Sequence, residues 1–229
     1  MMSDYDYSVI MPIMNAEKYI TQTLESIFSQ TVLPKEIIVI DDNSTDRTVE
    51  VVSSYSQIIK VLPNPKSGVA SATNFAVPQV ATEFVSFLDC DDLWMPTKAE
   101  KQIDYLINNP AMDVVCSSVL NFSKESFEDV NFQATREFAP SRLYTASTFR
   151  RQTFEKFGPL NETVGHFGWL YAWWSRADEA GINTGTINEV HLQRRIHESN
   201  SWVVHKEEGR KALIELARDN IKRRVHDKS

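Results

Sequence analysis

Short, nearly uninterrupted apolar runs alternate with segments of helical apolar spacing through the first half of the chain. The run YSVIMPI at 7–13 predicts a buried strand, and 17–29 predicts a helix with Ile20, Leu24, Ile27 and Phe28 on one face. EIIVI at 36–40 is a second buried strand. Asp42, Asn43, Ser44 and Thr45 then supply cap chemistry for a helix carrying Val49, Val52 and Tyr55. IIKVL at 58–62 reads as a third strand, a Pro- and Gly-containing loop closes it at Gly68, and a short helix follows through Asn74. FVSFL at 84–88 is the fourth strand, and Thr97 with Glu100 has the spacing of a capping box opening a helix to about residue 108. This strand–helix alternation predicts an α/β fold with a parallel sheet covered on both faces.

The second half is less regular. A strand is expected at 113–118, a polar stretch without clear period at 121–140, and a short helix at 149–157. FGWLYAWWSRADEAG at 167–181 carries aromatics at helical spacing and ends on Gly181, where a helix C-cap belongs. A terminal helix is expected from 206 to 229, with Leu213, Leu216, Ala217, Ile221 and Val225 as its apolar stripe. No linker or repeat divides the chain, so 1–229 reads as one domain, with a regular half at 1–110, a less regular one at 111–205 and the terminal helix at 206–229.

In parallel sheets of this kind ligands collect at the carboxyl ends of the strands. That rule places Asp41, Asp42, Asp89, Asp91 and Asp92 on one rim. The last three lie within four positions, and carboxylates so crowded need a compensating positive charge or must remain wet. A divalent cation such as Mg²⁺ or Mn²⁺ meets that need and leaves positions open for substrate phosphates. The plainer alternative is a polar turn whose aspartates cap the helix from 97.

Composition narrows the partners. With 31 acidic against 24 basic residues the formal charge is −7, and no long basic run offers a footprint for nucleic acid or anionic lipid. Hydrophobic residues make up 42% of the chain, yet no long apolar window predicts a membrane span. Cys90 and Cys116 lack metal-site spacing, which favours reduced thiols and a cytoplasmic protein. The absence of GxGxxG speaks against a dinucleotide dehydrogenase. The acidic motif also sits poorly with an aspartyl phosphatase or a receiver domain.

The ordered set SVIMPIMNAEKYITQTLESIFSQT, EIIVIDDNSTDRT, GVASATNFAV and EFVSFLDCDDLWMPTK resembles the nucleotide-binding half of family 2 glycosyltransferases of the GT-A fold. FRRQTFEKFGPLNE at 149–162 and RRIHESNS at 194–201 continue the resemblance, which spans roughly 7–202. It implies a mostly parallel, Rossmann-like sheet flanked by helices with an irregular acceptor half. It also implies inverting transfer of a sugar from a nucleotide-sugar donor, with UDP as the nucleotide. The acceptor hydroxyl would belong to a glycan, small molecule or peptide. Pro12 and Asn15 would border the nucleotide, Asp42 would meet the uracil, and Asp89 would approach the ribose. Asp91 would bind Mn²⁺ or Mg²⁺ across the diphosphate, and His197 would approach the metal or diphosphate unless it is structural. Met14 stands where a base-contacting residue is common, and Cys90 reads as a small buried filler.

One expected part is missing. The family normally supplies a general base as an acid pair opening the helix before an Arg, yet here those positions hold Gly168, Trp169 and Leu170. His166 and Glu162 are the candidate bases, alongside an unrecognised group or none. A nucleotide-sugar binder without catalysis is therefore the alternative reading. Several aromatics of this segment must pack inward, and Trp169 is expected to be the exposed one, bordering the acceptor.

Overall fold

The computed structural model describes residues 5–123, 141–164 and 168–198, together with Asn200, Val204, Glu207, Lys211 and Ile214. The strands are β1 (Tyr7–Ile13), β2 (Glu36–Asp41), β3 (Ile59–Pro63), β4 (Phe84–Phe87), β5 (Leu93–Trp94), β6 (Val114–Ser123), β7 (Ser147–Arg150) and β8 (Thr184–Ile196). The helices are α1 (Ile20–Phe28), α2 (Thr48–Tyr55), α3 (Val69–Ala76), α4 (Lys98–Asn108), α5 (Gln152–Phe157) and α6 (Gly168–Glu179). Among the described residues these eight strands join one sheet in the order β3-β2-β1-β4-β7-β6-β8-β5. From β3 to β4 every pairing is parallel. The other side of the sheet is mixed, because β7 runs antiparallel to both neighbours, β8 lies parallel to β6, and β5 closes the edge antiparallel to β8.

Why the first strands are apolar throughout follows from their burial on both faces. Along β1, Val9, Met11 and Ile13 enter one core with Ile20 and Leu24 of α1, Val52 of α2 and Ile103 of α4, while Ile10 enters the other. β2 divides in the same way, with Ile37 and Val39 on one side and Ile38 and Ile40 on the other. The second core is strongly aromatic: Phe87 and Phe149 meet Trp173 and Trp174 of α6. Rings of Phe149 and Trp173 lie 5.9 Å apart, edge to face, a geometry that adds to area burial.

Some local expectations are revised. Residues 149 and 150 are strand rather than helix, because Phe149 pairs with Val85 and Arg150 with Phe84 in the β4–β7 ladder. A buried strand running into a short helix has no period that separates it from one longer helix. Thr97 makes no side-chain cap bond to α4; Glu100 instead accepts a hydrogen bond from Thr31 Oγ1 at 2.8 Å. Residues 42–45 do not cap α2, whose first amide, on Thr48, donates to Asp46 Oδ1 at 3.0 Å. The sixth strand runs on to Ser123, and the rest of the polar stretch, 124–140, lies outside the described residues. So does the apolar stripe expected on the terminal helix. Val204, Glu207, Lys211 and Ile214 are helical and exposed.

A polar seam runs beneath the mixed half of the sheet. Lys98, fully buried, donates to Gln102 Oε1 at 2.9 Å and sits 4.2 Å from the centre of the Trp94 ring. Gln102 spends its amide group on Ala146 O and Ser117 Oγ and also accepts from Thr148 Oγ1 at 2.6 Å. None of the lysine's partners is a carboxylate, so burial holds its amine down to about 7 against an ordinary 10.5. Between those two values the unfolded chain keeps a proton that the folded chain gives up. Stability therefore rises with pH across that window and is flat, at its lowest, below it. Replacing the amine by an apolar chain, Lys98→Met, should stabilise the fold at pH 7 by roughly 1–3 kcal/mol, a gain that shrinks as pH climbs through the window. Urea unfolding at pH 7 and near pH 10 measures both. A gain that grows with pH would show that the buried amine is not the cause.

Candidate active site

Parallel pairing brings the carboxyl ends of β2, β1 and β4 to one rim, and the sheet splits there. The β1–β4 ladder ends at Ile10 opposite Phe87, whereas β1 stays paired with β2 as far as Ile13 and Asp41. Pro12, which has no N–H to give, lies beyond the last β4 pair, where a proline is tolerated inside a sheet. The crevice opens from this point.

Loops on the β1–β2 side are tied to one another. Asn15 adopts a φ of 50°, its Oδ1 accepts from Thr45 N at 2.8 Å, and its own amide donates to Ser44 Oγ at 3.1 Å. Asp46 accepts from Glu17 N at 3.0 Å, and Ala16 N donates to Thr48 Oγ1 at 2.7 Å. Asp42 is half-buried beside them. Its Oδ1 accepts from Asn64 Nδ2 at 3.0 Å and its Oδ2 from Gly68 N at 2.7 Å, which folds the 64–68 loop over it. Gly68 has a φ of 84°, a region that favours glycine. Met14, 58% exposed, stands open at the mouth.

Across the crevice the three aspartates after β4 have separate fates. Asp89 accepts a short hydrogen bond from the Tyr144 hydroxyl. Burial, and then the charge of Asp91, push its carboxyl upward in pKa, while the tyrosine pulls the other way. Asp91 Oδ2 lies 2.9 Å from His197 Nε2 and 3.4 Å from Asn200 Nδ2. Asp92 faces inward, 2% exposed, with Oδ1 accepting from Arg195 N at 2.8 Å. Burial raises its pKa well above the usual range, so only two of the three carboxyls address the crevice. Cys90 is partly buried, its carbonyl accepts from Thr23 Oγ1 at 3.0 Å, and burial pushes its thiol up.

Arg195, buried under the rim, holds this arrangement together. Its Nε donates to the Asp91 carbonyl at 2.9 Å and its Nη2 to Gln22 Oε1 at 2.8 Å. Its guanidinium also stands 4.9 Å from the Tyr19 ring and 4.6 Å from the Phe122 ring. The same Tyr19 ring stacks on His197 at 4.8 Å between centres.

Whether a divalent ion suits these residues can be judged from their spacing. Cis ligands of an octahedral ion with bonds of about 2.1 Å stand about 3 Å apart, and the Asp91–His197 separation of 2.9 Å agrees. Carboxylate with imidazole is a donor pair that suits Mn²⁺ better than Mg²⁺. Among the described residues no group of three or more His, Cys, Asp or Glu side chains forms a complete metal site. The remaining positions would fall to solvent and substrate.

Around α6 the geometry departs from expectation. Trp169 is 7% exposed, with its ring against Tyr144 at 5.2 Å. It shares the inward face of α6 with Trp173, one turn on, and the residue pointing outward is Tyr171, 51% exposed. Leu170 joins Trp169 and Phe87 around a small apolar cavity, so the positions of the missing acid pair are packed with carbon. Glu162 pairs with Lys66 Nζ at 2.7 Å and accepts from Asn74 Nδ2 at 2.9 Å. These bonds hold its carboxyl below the usual range. His166 and Phe167 lie outside the described residues.

Sequence reasoning missed Tyr144, Arg195, Lys66 and Asn200. Tyr144 sits in a stretch without periodicity and gave no signal. Arg195 and Asn200 lie in the RRIHESNS segment, where the histidine drew the attention.

Residues 8–171 match the family described as "Glycosyl transferase family 2". A UDP-Glc:alpha-D-GlcNAc-diphosphoundecaprenol beta-1,3-glucosyltransferase, WfgD of Escherichia coli, is 40% identical over 110 residues, covering 47% of this chain and 44% of that protein. The putative teichuronic acid biosynthesis glycosyltransferase TuaG of Bacillus subtilis is 38% identical over 104 residues, covering 44% of this chain and 41% of its own length. The chain thus spans less than half the length of either relative. In three dimensions it is similar to S. aureus TarS 1-349 in complex with UDP, with a TM-score of 0.68 at 21% identity over 84% of this chain and 61% of that one. The fold is that of the GT-A glycosyltransferases, and by its family match the chain belongs to glycosyl transferase family 2.

Proposed function

We propose that the chain transfers a sugar from a UDP-sugar donor to an acceptor hydroxyl, with inversion and with Mn²⁺ as cofactor. The observation that carries this reading is the convergence of Asp42, Asp89 and the Asp91–His197 pair on the rim where β1 and β4 part. The family match supports it, as do a relative named for a UDP-Glc donor and a similar fold solved with UDP.

In this reading Asp42 accepts the uracil N–H with lone pairs left over from Asn64 and Gly68, and Pro12 and Asn15 border the base. Asp89 accepts a ribose hydroxyl. Asp91 and His197 hold the metal, which when bound offsets charge developing on the departing diphosphate. The acceptor lies toward α6, where Tyr171 is the exposed aromatic. His166 is the proposed base, since Glu162 is ion-paired and its lowered pKa makes it a weak one. The apolar packing of Trp169 and Leu170 favours a second reading, a relative that binds the donor without turning it over.

A panel of nucleotide sugars incubated with and without Mn²⁺ separates the two. Release of UDP from a UDP-sugar only when Mn²⁺ is present is the expected result; binding without release from any donor would leave the second reading. Because the described residues offer two metal ligands on this rim, Asp91→Asn should abolish Mn²⁺-dependent UDP binding while the melting temperature holds. Equal UDP affinity with and without metal in the parent protein, read by calorimetry, would remove the metal from the scheme. For the base, turnover should fall below about pH 6.5 as the imidazole takes up a proton. His166→Ala should cost roughly 10²- to 10⁴-fold in rate with donor affinity unchanged. Full activity in that variant would exclude the residue.

A further inference from the structure

We infer that Tyr144 is a positioning residue that fixes the Asp89 carboxylate for the donor ribose and couples that contact to the acceptor-side helix α6. The inference rests on the donor reading above.

Tyr144 opens a short 3-10 turn that leads into β7. Its hydroxyl donates to Asp89 Oδ1, leaving the other carboxylate oxygen for a ligand. The ring packs against Phe87 at 5.4 Å and against Trp169 of α6 at 5.2 Å. The same segment meets α6 again two residues earlier, where Trp174 Nε1 donates to the Arg142 carbonyl at 2.8 Å. Arg142 then lies over the Trp174 ring at 4.8 Å and pairs with Asp178 at 2.7 Å. Behind the turn, the Ala146 carbonyl accepts from Gln102 Nε2 at 2.9 Å and Ser117 Oγ at 2.8 Å. The hydroxyl therefore approaches Asp89 from a segment fixed to both the core and α6. A carboxylate free to turn would lose part of its contact energy to side-chain entropy on binding. One already held by a buried hydroxyl has lost that freedom beforehand.

Tyr144→Phe removes the hydroxyl and keeps the ring, so the contacts with Phe87 and Trp169 survive. With Mn²⁺ present, UDP affinity should fall about two- to tenfold, as expected when one more side chain must be immobilised on binding, while 2′,3′-dideoxyuridine diphosphate, lacking the ribose hydroxyls, should bind parent and variant alike. In an Asp89→Asn background the same substitution should add little further loss, since both changes act on one contact. An equal loss for both ligands, or the same loss in both backgrounds, would show that the tyrosine acts only through packing and overturn the inference. Unchanged UDP affinity in Tyr144→Phe would overturn it as well. Failure of the parent protein to bind UDP would instead overturn the donor reading on which it stands.

Discussion

Asp92 has been taken out of water beside the carboxyls of Asp89 and Asp91, and that burial organises the crevice. Desolvating a carboxyl group is strongly unfavourable unless hydrogen bonds replace the lost water. Here the replacement comes from the backbone amide of Arg195, on a strand far away in sequence. The arginine side chain then turns back to the Asp91 carbonyl. Backbone and side chain of one residue thus clamp two neighbouring aspartates, and His197 follows two positions later, within reach of Asp91. Without this clamp the loop after β4 would lose its tie to β8, and Asp91 and Asp92 would keep no fixed distance from His197.

A second constraint acts across the crevice. Asn74 accepts from the Leu160 amide and donates to its carbonyl, at 2.8 and 2.9 Å, docking the 158–162 loop on α3 much as a strand would. Glu162 extends that docking to Lys66, on the loop folded over Asp42. The 64–68 and 158–162 loops therefore share a polar seam at the surface, while Tyr144 and Trp169 share an apolar one below it. Little of the site stands on isolated loops.

What the sequence revealed and what it hid have physical reasons. Strands β1, β2 and β4 were legible because burial on both faces leaves an unmistakable apolar run, and once their parallel order is known the rim aspartates must coincide. The mixed half was harder. Which strand joins β4 depends on β7, four residues long, too short to show a period beside α5. Exposure on α6 was misjudged because an aromatic helix has no polar face to orient it; Trp169 turned inward and Tyr171 outward. The partner of Asp89 could not be found from pattern at all. A tyrosine in an aperiodic stretch becomes informative only when the fold sets it against a carboxyl 55 positions away.

The clamp has a further consequence for how the protein comes into being. Asp92 and Arg195 are separated by 103 positions, and Asp91 and His197 by 106. During synthesis, at about 5–20 residues per second, the first four parallel strands can pair seconds before β8 leaves the ribosome. Through that interval the aspartate-rich loop has neither its arginine nor its histidine, and its burial is unsatisfied. Closing so long a stretch of chain is an entropically slow step. The rim crevice therefore matures last, and a chain interrupted before β8 would retain much of the parallel sheet while lacking half of the pair proposed to hold the metal.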